Sequence, residues 1–283
     1  MKKLLITDLD NTLYDWVTFY SRAFRAMVQE LSVLLGVPTE QLLTEFQAVH
    51  RRYGTSEPPF GALEIESVLN RFGNTDSKAL LLHLDPAFRA FNSARKKYLK
   101  AYPYVEETLG ALRAANIRIV AHTEAVFENA YYRLLKLGLA DSFTHLYTIE
   151  SALPHHPTGS KLLPRPPYVS VLPNSERKPN PRLVRDICAR EGINPRDAAY
   201  IGDSLTRDVA MAVDAGVTAI WAHYGRSFSR EDWELLVRVT HWTADDVKAE
   251  ERLRHESSTK HPDFTVESFQ EIRSILLPAE ALT

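Results

Sequence analysis

The chain has 283 residues, 45% of them hydrophobic, which suits one large domain or two smaller ones with a sizeable core and argues against disorder. A formal net charge of −2 lacks the basic excess of a dedicated nucleic-acid binder. The single cysteine, Cys188, rules out an intrachain disulfide and a cysteine-built zinc cage, so a reducing, cytoplasmic setting is expected.

In chain order, the first element is the apolar run Leu4-Leu5-Ile6, which reads as a strand buried on both faces of a parallel sheet. It stops at Asp8, well short of a signal-peptide core or a membrane span, and no membrane partner is expected. The acidic loop Asp8-Leu9-Asp10-Asn11-Thr12 follows it. Phe19, Ala23, Ala26, Met27, Leu31, Leu34 and Leu35 then fall near 3.6-residue spacing, and further helices are predicted over 38–53, 62–72 and 77–102, the last broken at Asp85-Pro86. From Pro103 the rhythm changes. Helices over 105–115, 127–137, 181–190 and up to Ala215-Gly216 alternate with strands at 117–121, 145–149, 198–203 and 217–222. A last strand at 264–266 and a closing helix over 268–277 complete the series.

This alternation predicts an α/β fold, a doubly wound parallel sheet formed by 1–14 and 103–283, with a small all-α domain over 15–102 inserted after the first strand. Two stretches fall outside it. Residues 151–177, with His155-His156-Pro157 and Arg165-Pro166-Pro167, read as a long proline-rich loop. Residues 225–261, with Trp233, Trp242 and a charged run from Asp245 to Glu256, read as partly helical surface structure. The closely set histidines lack a carboxylate or histidine at helical spacing and read as loop residues. Cys188 reads as packed core.

In doubly wound sheets ligands bind beyond the carboxyl ends of the strands, where Asp8, Thr123 and Asp203 are all expected. Asp8 and Asp10 at a loop start can divide attack and proton transfer. A phosphate ester repels nucleophiles, so a carboxylate attacks it efficiently only when a cation and hydrogen-bond donors neutralise the phosphoryl oxygens. Asp203 can join Asp8 on a hard divalent cation, and Lys178 and the Thr123 hydroxyl can hold remaining charge. Each residue alone has a plain structural reading: a helix cap for Asp8, Asp10 or Thr123, a solvated loop for Lys178, a turn for Gly202-Asp203. Their order and their placement at successive strand ends set the group apart.

On these residues the sequence resembles the haloacid dehalogenase superfamily, in its phosphatase branch. Asp8-Leu9-Asp10-Asn11-Thr12 matches the family's first motif, Thr123 the second, Lys178 in Lys178-Pro179-Asn180-Pro181 the third, and Gly202-Asp203-Ser204-Leu205-Thr206-Arg207-Asp208 the fourth. The helical insert between the first two motifs is similar to that family's C1 cap. The resemblance implies a Rossmann-like core and magnesium-dependent hydrolysis, with Asp8 as nucleophile, Asp10 as general acid and base, and Thr123 and Lys178 holding the phosphoryl group. It places Mg2+ on Asp8, the Asp10 carbonyl and Asp203, with Asp208 close by. Two features depart from the pattern: Glu124 follows Thr123 where asparagine is common, and a long proline-rich stretch precedes Lys178, which leaves Lys161 as a competitor.

The expected partner is a small phosphorylated metabolite, with nucleotides, sugar phosphates and phosphoglycolate all open. Arg22, Arg25, Arg51 and Arg52 read either as anion recognition or as a solvated helix face, and Tyr53-Gly54-Thr55-Ser56 as a loop that reaches the substrate. A dehalogenase needs neither Asp10 nor the acidic fourth motif. A phosphotransferase of mutase type and an inert binding module of the same fold remain as alternatives.

Overall fold

The computed structural model describes residues 2–58, 60–73, 75–150, 164–242, 248 and 260–278. Leu4, Leu5 and Ile6 are fully buried in β1 (Leu4–Thr7), the centre of a sheet in which all neighbouring strands run parallel. β1 is flanked by β2 (Arg118–Val126) and, on its other side, by β5 (Ala198–Gly202). β3 (His145–Ile149) and β4 (Val169–Leu172) extend one wing, β6 (Thr218–Ala222) and β7 (Phe264–Val266) the other, giving the order β4-β3-β2-β1-β5-β6-β7. The chain thus winds outward through β4, then crosses back beyond β1 to start the second wing. That reversal makes the carboxyl ends of β1 and its two neighbours the switch-point crevice.

The sheet is buried on both faces with the period of two that a strand demands. Leu5, Ile119, Ala121, Ala199 and Ile201 face one apolar layer, while Leu4, Ile6, Val120, Ala198 and Tyr200 face the other. Cys188 lies in the second layer, on α8 (Pro181–Arg190), as expected of a core cysteine.

Between β1 and β2 the chain is helical: α1 (Trp16–Leu35), α2 (Thr39–Tyr53), α3 (Glu66–Phe72), α4 (Ser77–His83) and α5 (Asp85–Tyr98). Asp15 caps α1 by accepting from the Thr18 amide, and Gly36 ends it in the left-handed conformation. The apolar face of α1 joins Phe46 of α2 in one continuous cluster that reaches Leu5 and Ala121 of the sheet. No helix among the described residues is long and apolar enough to cross a membrane.

Further helices are α6 (Val105–Ala114), α7 (Phe127–Lys136), α9 (Ala210–Ala215), α10 (Arg230–Val239) and α11 (Ile272–Leu276). The structure corrects several expectations. The helix expected over 62–72 is divided at Ile65, whose extended backbone separates a 3-10 turn, Gly61–Glu64, from α3. The closing helix is likewise a 3-10 turn, Phe269–Glu271, followed by the short α11. β2 continues to Val126, with a register shift after His122, so Thr123 sits within the strand rather than after it.

The stretch 151–177 is not all loop. Its described part contains β4, four residues between Pro167 and Pro173 whose amides and carbonyls extend the sheet past β3. Residues 151–163, with His155, His156 and Lys161, lie outside the described residues.

The 225–261 stretch also departs from a surface reading. Leu236 and Val239 of α10 are fully buried against α1 and α2. The polar contacts agree: Ser21 Oγ donates to the Asp232 carbonyl at 2.8 Å, Arg22 Nε pairs with Asp232 Oδ2 at 3.2 Å, and His50 Nδ1 lies 2.6 Å from the Val239 carbonyl. The charged run 245–256, Lys248 excepted, lies outside the described residues.

Candidate active site

The loop after β1 is stitched to itself, with the Leu13 amide bonded to the Leu9 carbonyl and the Asn11 amide to the Tyr14 carbonyl, both at 2.8 Å. Asn11 takes a positive φ of 56° and turns its side chain to accept from the amides of Trp16 and Val17, which closes the start of α1. Asp8, bonded through its amide to the Ile201 carbonyl at 2.9 Å, is thereby fixed at the mouth of the crevice. It is 7% exposed.

Its carboxylate accepts from Lys178 and, at 3.4 Å, from the Thr12 hydroxyl. Lys178 Nζ, reaching in from the turn before α8, donates to Asp8 Oδ1 and, at 2.9 Å, to Asp208 Oδ1. Asp208 lies in a π-helical turn, Leu205–Val209, where its Oδ2 accepts from the Ser204 amide at 3.1 Å and its Oδ1 from Tyr200 at 3.3 Å. A side chain at position 202 would collide with this carboxylate, so Gly202 is what lets the turn fold over the end of β5. Gly225 has a similar role after β6: a Cβ there would run into the Asn11 carbonyl and lie 3.0 Å from the Asp203 side chain.

Asp8, Asp203 and Asp208 offer carboxylate oxygens that all lie within 4.8 Å of one another. An all-oxygen set of this size suits a hard cation such as magnesium or calcium better than zinc or copper. Burial raises the Asp8 carboxyl to about 7, against the opposing pull of Lys178 and with Asp208 and Asp10 adding to the rise. Burial would lower the Lys178 ammonium, but Asp208 and Asp8 outweigh it and hold it charged. A cation at the cluster acts on Asp8 in the same sense as Lys178, toward the carboxylate.

Asp10 faces another way. Its Oδ1 accepts from Arg133 Nη1 at 2.9 Å, and Arg133, a buried guanidinium on α7, also pairs with Glu57 from the loop after α2. Glu57 in turn accepts from Trp16 Nε1 at 3.2 Å. Burial raises the Asp10 carboxyl and Arg133 opposes the shift. Arg133 and Glu57 are absent from the sequence reading. The signal for the former was a charge on the face of α7 that also carries Phe127, Ala130 and Leu134, all buried.

All six residues picked from the sequence, Asp8, Asp10, Thr123, Lys178, Asp203 and Asp208, line one cavity of about 590 Å³. Tyr53, Gly54, Thr55 and Ser56 line it too. Thr123 Oγ1 accepts from the Ala125 amide at 3.1 Å, and Glu124 pairs with Arg207 at 3.2 Å. Arg22 and Arg25 turn away to Asp232 and Glu231 of α10, and Arg52 pairs with Glu64. These three guanidiniums therefore brace helices. The segment after β6 was missed as a contributor: Phe228, Trp233 and Trp242 line the cavity.

A buried lysine shared between carboxylates, beside further carboxylates at a switch point, has the form of the active centre of an α/β enzyme. A family model described as haloacid dehalogenase-like hydrolase matches residues 2–216, and the chain belongs to that family. A glyceraldehyde 3-phosphate phosphatase of Methanopyrus kandleri is 26% identical over 230 residues, 80% of this chain and 86% of its own. A phosphoserine phosphatase of Thermus thermophilus is 26% identical over 257 residues, 79% and 89% of the two chains. Among solved structures, a 2-haloacid dehalogenase from Pseudomonas syringae pv. Tomato superposes with a TM-score of 0.57 over 98% of both chains at 20% identity, a likeness of fold.

Proposed function

We propose that this protein is a magnesium-dependent phosphohydrolase that cleaves a small phosphomonoester through an aspartyl-phosphate on Asp8. The observation that carries the reading is the position of Asp8 at the switch point, bonded to Lys178 and within reach of Asp203 and Asp208. The phosphatase names of the relatives from Methanopyrus kandleri and Thermus thermophilus support it.

In the first step an Asp8 carboxylate oxygen forms a bond to phosphorus while the ester P–O bond breaks, and the leaving oxygen takes a proton from Asp10. Burial favours the protonated form of Asp10 that this step requires, while Arg133, which bonds its Oδ1, opposes that shift. In the second step water attacks phosphorus, gives a proton back to Asp10, and releases phosphate and the Asp8 carboxylate. Lys178 and the Thr123 hydroxyl hold the phosphoryl oxygens as charge builds on them. Asp8, Asp203 and the Asp10 carbonyl would hold magnesium, with Asp208 orienting Lys178; when bound, the ion neutralises phosphoryl charge. Residues 15–102 act as a cap over a core of 1–14 and 103–283, with the Tyr53–Glu57 loop carried down to the cavity mouth.

Purified protein is expected to release phosphate from p-nitrophenyl phosphate only with magnesium present. Asp8→Asn abolishes turnover without changing the circular dichroism spectrum. Undiminished turnover in that variant, or transfer of the phosphoryl group to an added sugar phosphate without phosphate release, overturns the assignment.

A further inference from the structure

The cavity has two unlike ends. The polar end is the one already described, around Asp8, Lys178 and Asp203. The other is walled by Phe228, Trp233 and Trp242 from the segment after β6, with Ser56 and His241 beside them, and Trp16 from the start of α1 lines the cavity as well. A phosphoryl group and a two- or three-carbon leaving group need little of about 590 Å³. Cavities of roughly 300–1,000 Å³ with apolar walls and few polar groups are built for larger organic ligands.

The wall is preorganised. Phe228 and Trp233 stack with centroids 5.1 Å apart and planes at 18°, Trp233 and Trp242 lie 5.8 Å apart, and Trp16 stacks on Tyr20 at 5.0 Å and 8°. The Trp16 indole is also held by Glu57. The backbone beneath is anchored by the contacts of Asp232 with Ser21 and Arg22, and of Val239 with His50. Val239 is buried in helix packing and Leu236 borders the cavity fully buried, whereas Phe228, Trp233 and Trp242 line the cavity and remain partly exposed. Rings held in place and only partly covered are ready to accept another flat ring at little ordering cost. At the edge, Ser56 Oγ lies 3.2 Å from His241 Nδ1 and 3.1 Å from Thr240 Oγ1, so a hydrogen-bonded cluster borders the rings.

We infer that this end of the cavity is a subsite for a leaving group that carries a flat heteroaromatic ring, with Trp233 at its centre. The inference rests on the phosphohydrolase reading for the reacting end, and on the aromatic wall alone for the specificity. It sets the substrate class apart from small aliphatic phosphates and assigns part of the selectivity to the segment after β6 rather than to the helical insert.

Stacking on an aromatic side chain is worth roughly 1–3 kcal/mol per base, about 5- to 150-fold in affinity. The test compares kcat/KM for adenosine 5′-monophosphate and glycerol 3-phosphate. Wild-type protein is expected to favour the nucleotide. Trp233→Leu should lower that preference by about 5- to 150-fold, and Trp233→Phe should retain most of it. Adenosine, which lacks a phosphate, should inhibit competitively, while glycerol should not. A purely structural role for Trp233 would depress both substrates alike and leave the ratio unchanged, which overturns the proposal, as does a wild-type preference for glycerol 3-phosphate. Should no substrate be hydrolysed, the phosphohydrolase reading fails separately. Calorimetric binding of adenosine 5′-monophosphate to Asp8→Asn protein then decides the subsite: tighter binding than glycerol 3-phosphate, lost in a Trp233→Leu background, supports it, and equal binding refutes it.

Discussion

His50 is buried on α2 between the rings of Phe24 and Phe46, its Nδ1 2.6 Å from the Val239 carbonyl at the end of α10. Burial lowers its pKa from 6.5 to about 4; the Val239 carbonyl opposes the shift, and nearby His241 adds to it. Well above pH 6.5 the ring is neutral in the folded and unfolded chains, and stability is at its full value. As the pH falls, the unfolded ring binds a proton that the folded ring refuses, so stability is lost progressively until about pH 4, where both are charged. The whole interval corresponds to roughly 3 kcal/mol, of which about 2 kcal/mol is lost by pH 5. His50→Asn keeps a donor toward Val239 and removes the titration. Urea unfolding of both proteins at pH 7.5 and pH 5 isolates the effect, because the other titrating groups cancel in the comparison. Wild-type protein should lose about 2 kcal/mol more than the variant across that interval. Equal losses, or a larger loss in the variant, would show that His50 does not tie α2 to α10 as a neutral ring.

Two other substitutions probe the site. Arg133→Met leaves Asp10 and Glu57 without the buried cation between them and should cost about 3–5 kcal/mol in a denaturation experiment, with partial recovery when Glu57→Gln is added. Loss below about 1 kcal/mol would mean that water takes the place of the guanidinium. Gly202→Ala forces a methyl group into the Asp208 carboxylate. Displacing the partner of Lys178 by about an ångström should lower kcat roughly 100-fold with the fold retained. Wild-type turnover in this variant would show that Asp208 does not hold Lys178 for the reaction.

The sheet was legible because its central strands are buried on both faces and so appear as short unbroken apolar runs, as in Leu4-Leu5-Ile6 and Ala198–Gly202. β4 was hidden because its four residues stand between Pro167 and Pro173, and turn-forming neighbours dominate any local reading. α10 could be foreseen as a helix, yet its partners could not, since Ser21 and Asp232 meet from 211 positions apart. Five of the six candidate site residues could be chosen because they stand beside a strand end or a distinctive turn, and Thr123 because the apolar run of β2 stops just before it although the strand goes on to Val126. What the sequence left unread was how they share charge. Lys178 is divided between Asp8 and Asp208, and Asp10 is held by Arg133, through contacts that span up to 170 positions. The aromatic wall was equally opaque, because Phe228, Trp233 and Trp242 become a wall only when α10 docks on α1 and α2.

The central claim is that Asp8 becomes phosphorylated during turnover. Protein mixed with p-nitrophenyl phosphate and magnesium, quenched in acid within the first turnovers and digested for peptide mass spectrometry, tests it directly. The account predicts one added HPO3 on the peptide that contains Asp8, labile to hydroxylamine and absent from Asp8→Asn protein. Phosphate release without any such adduct under conditions that trap it, or an adduct on another residue, would contradict it.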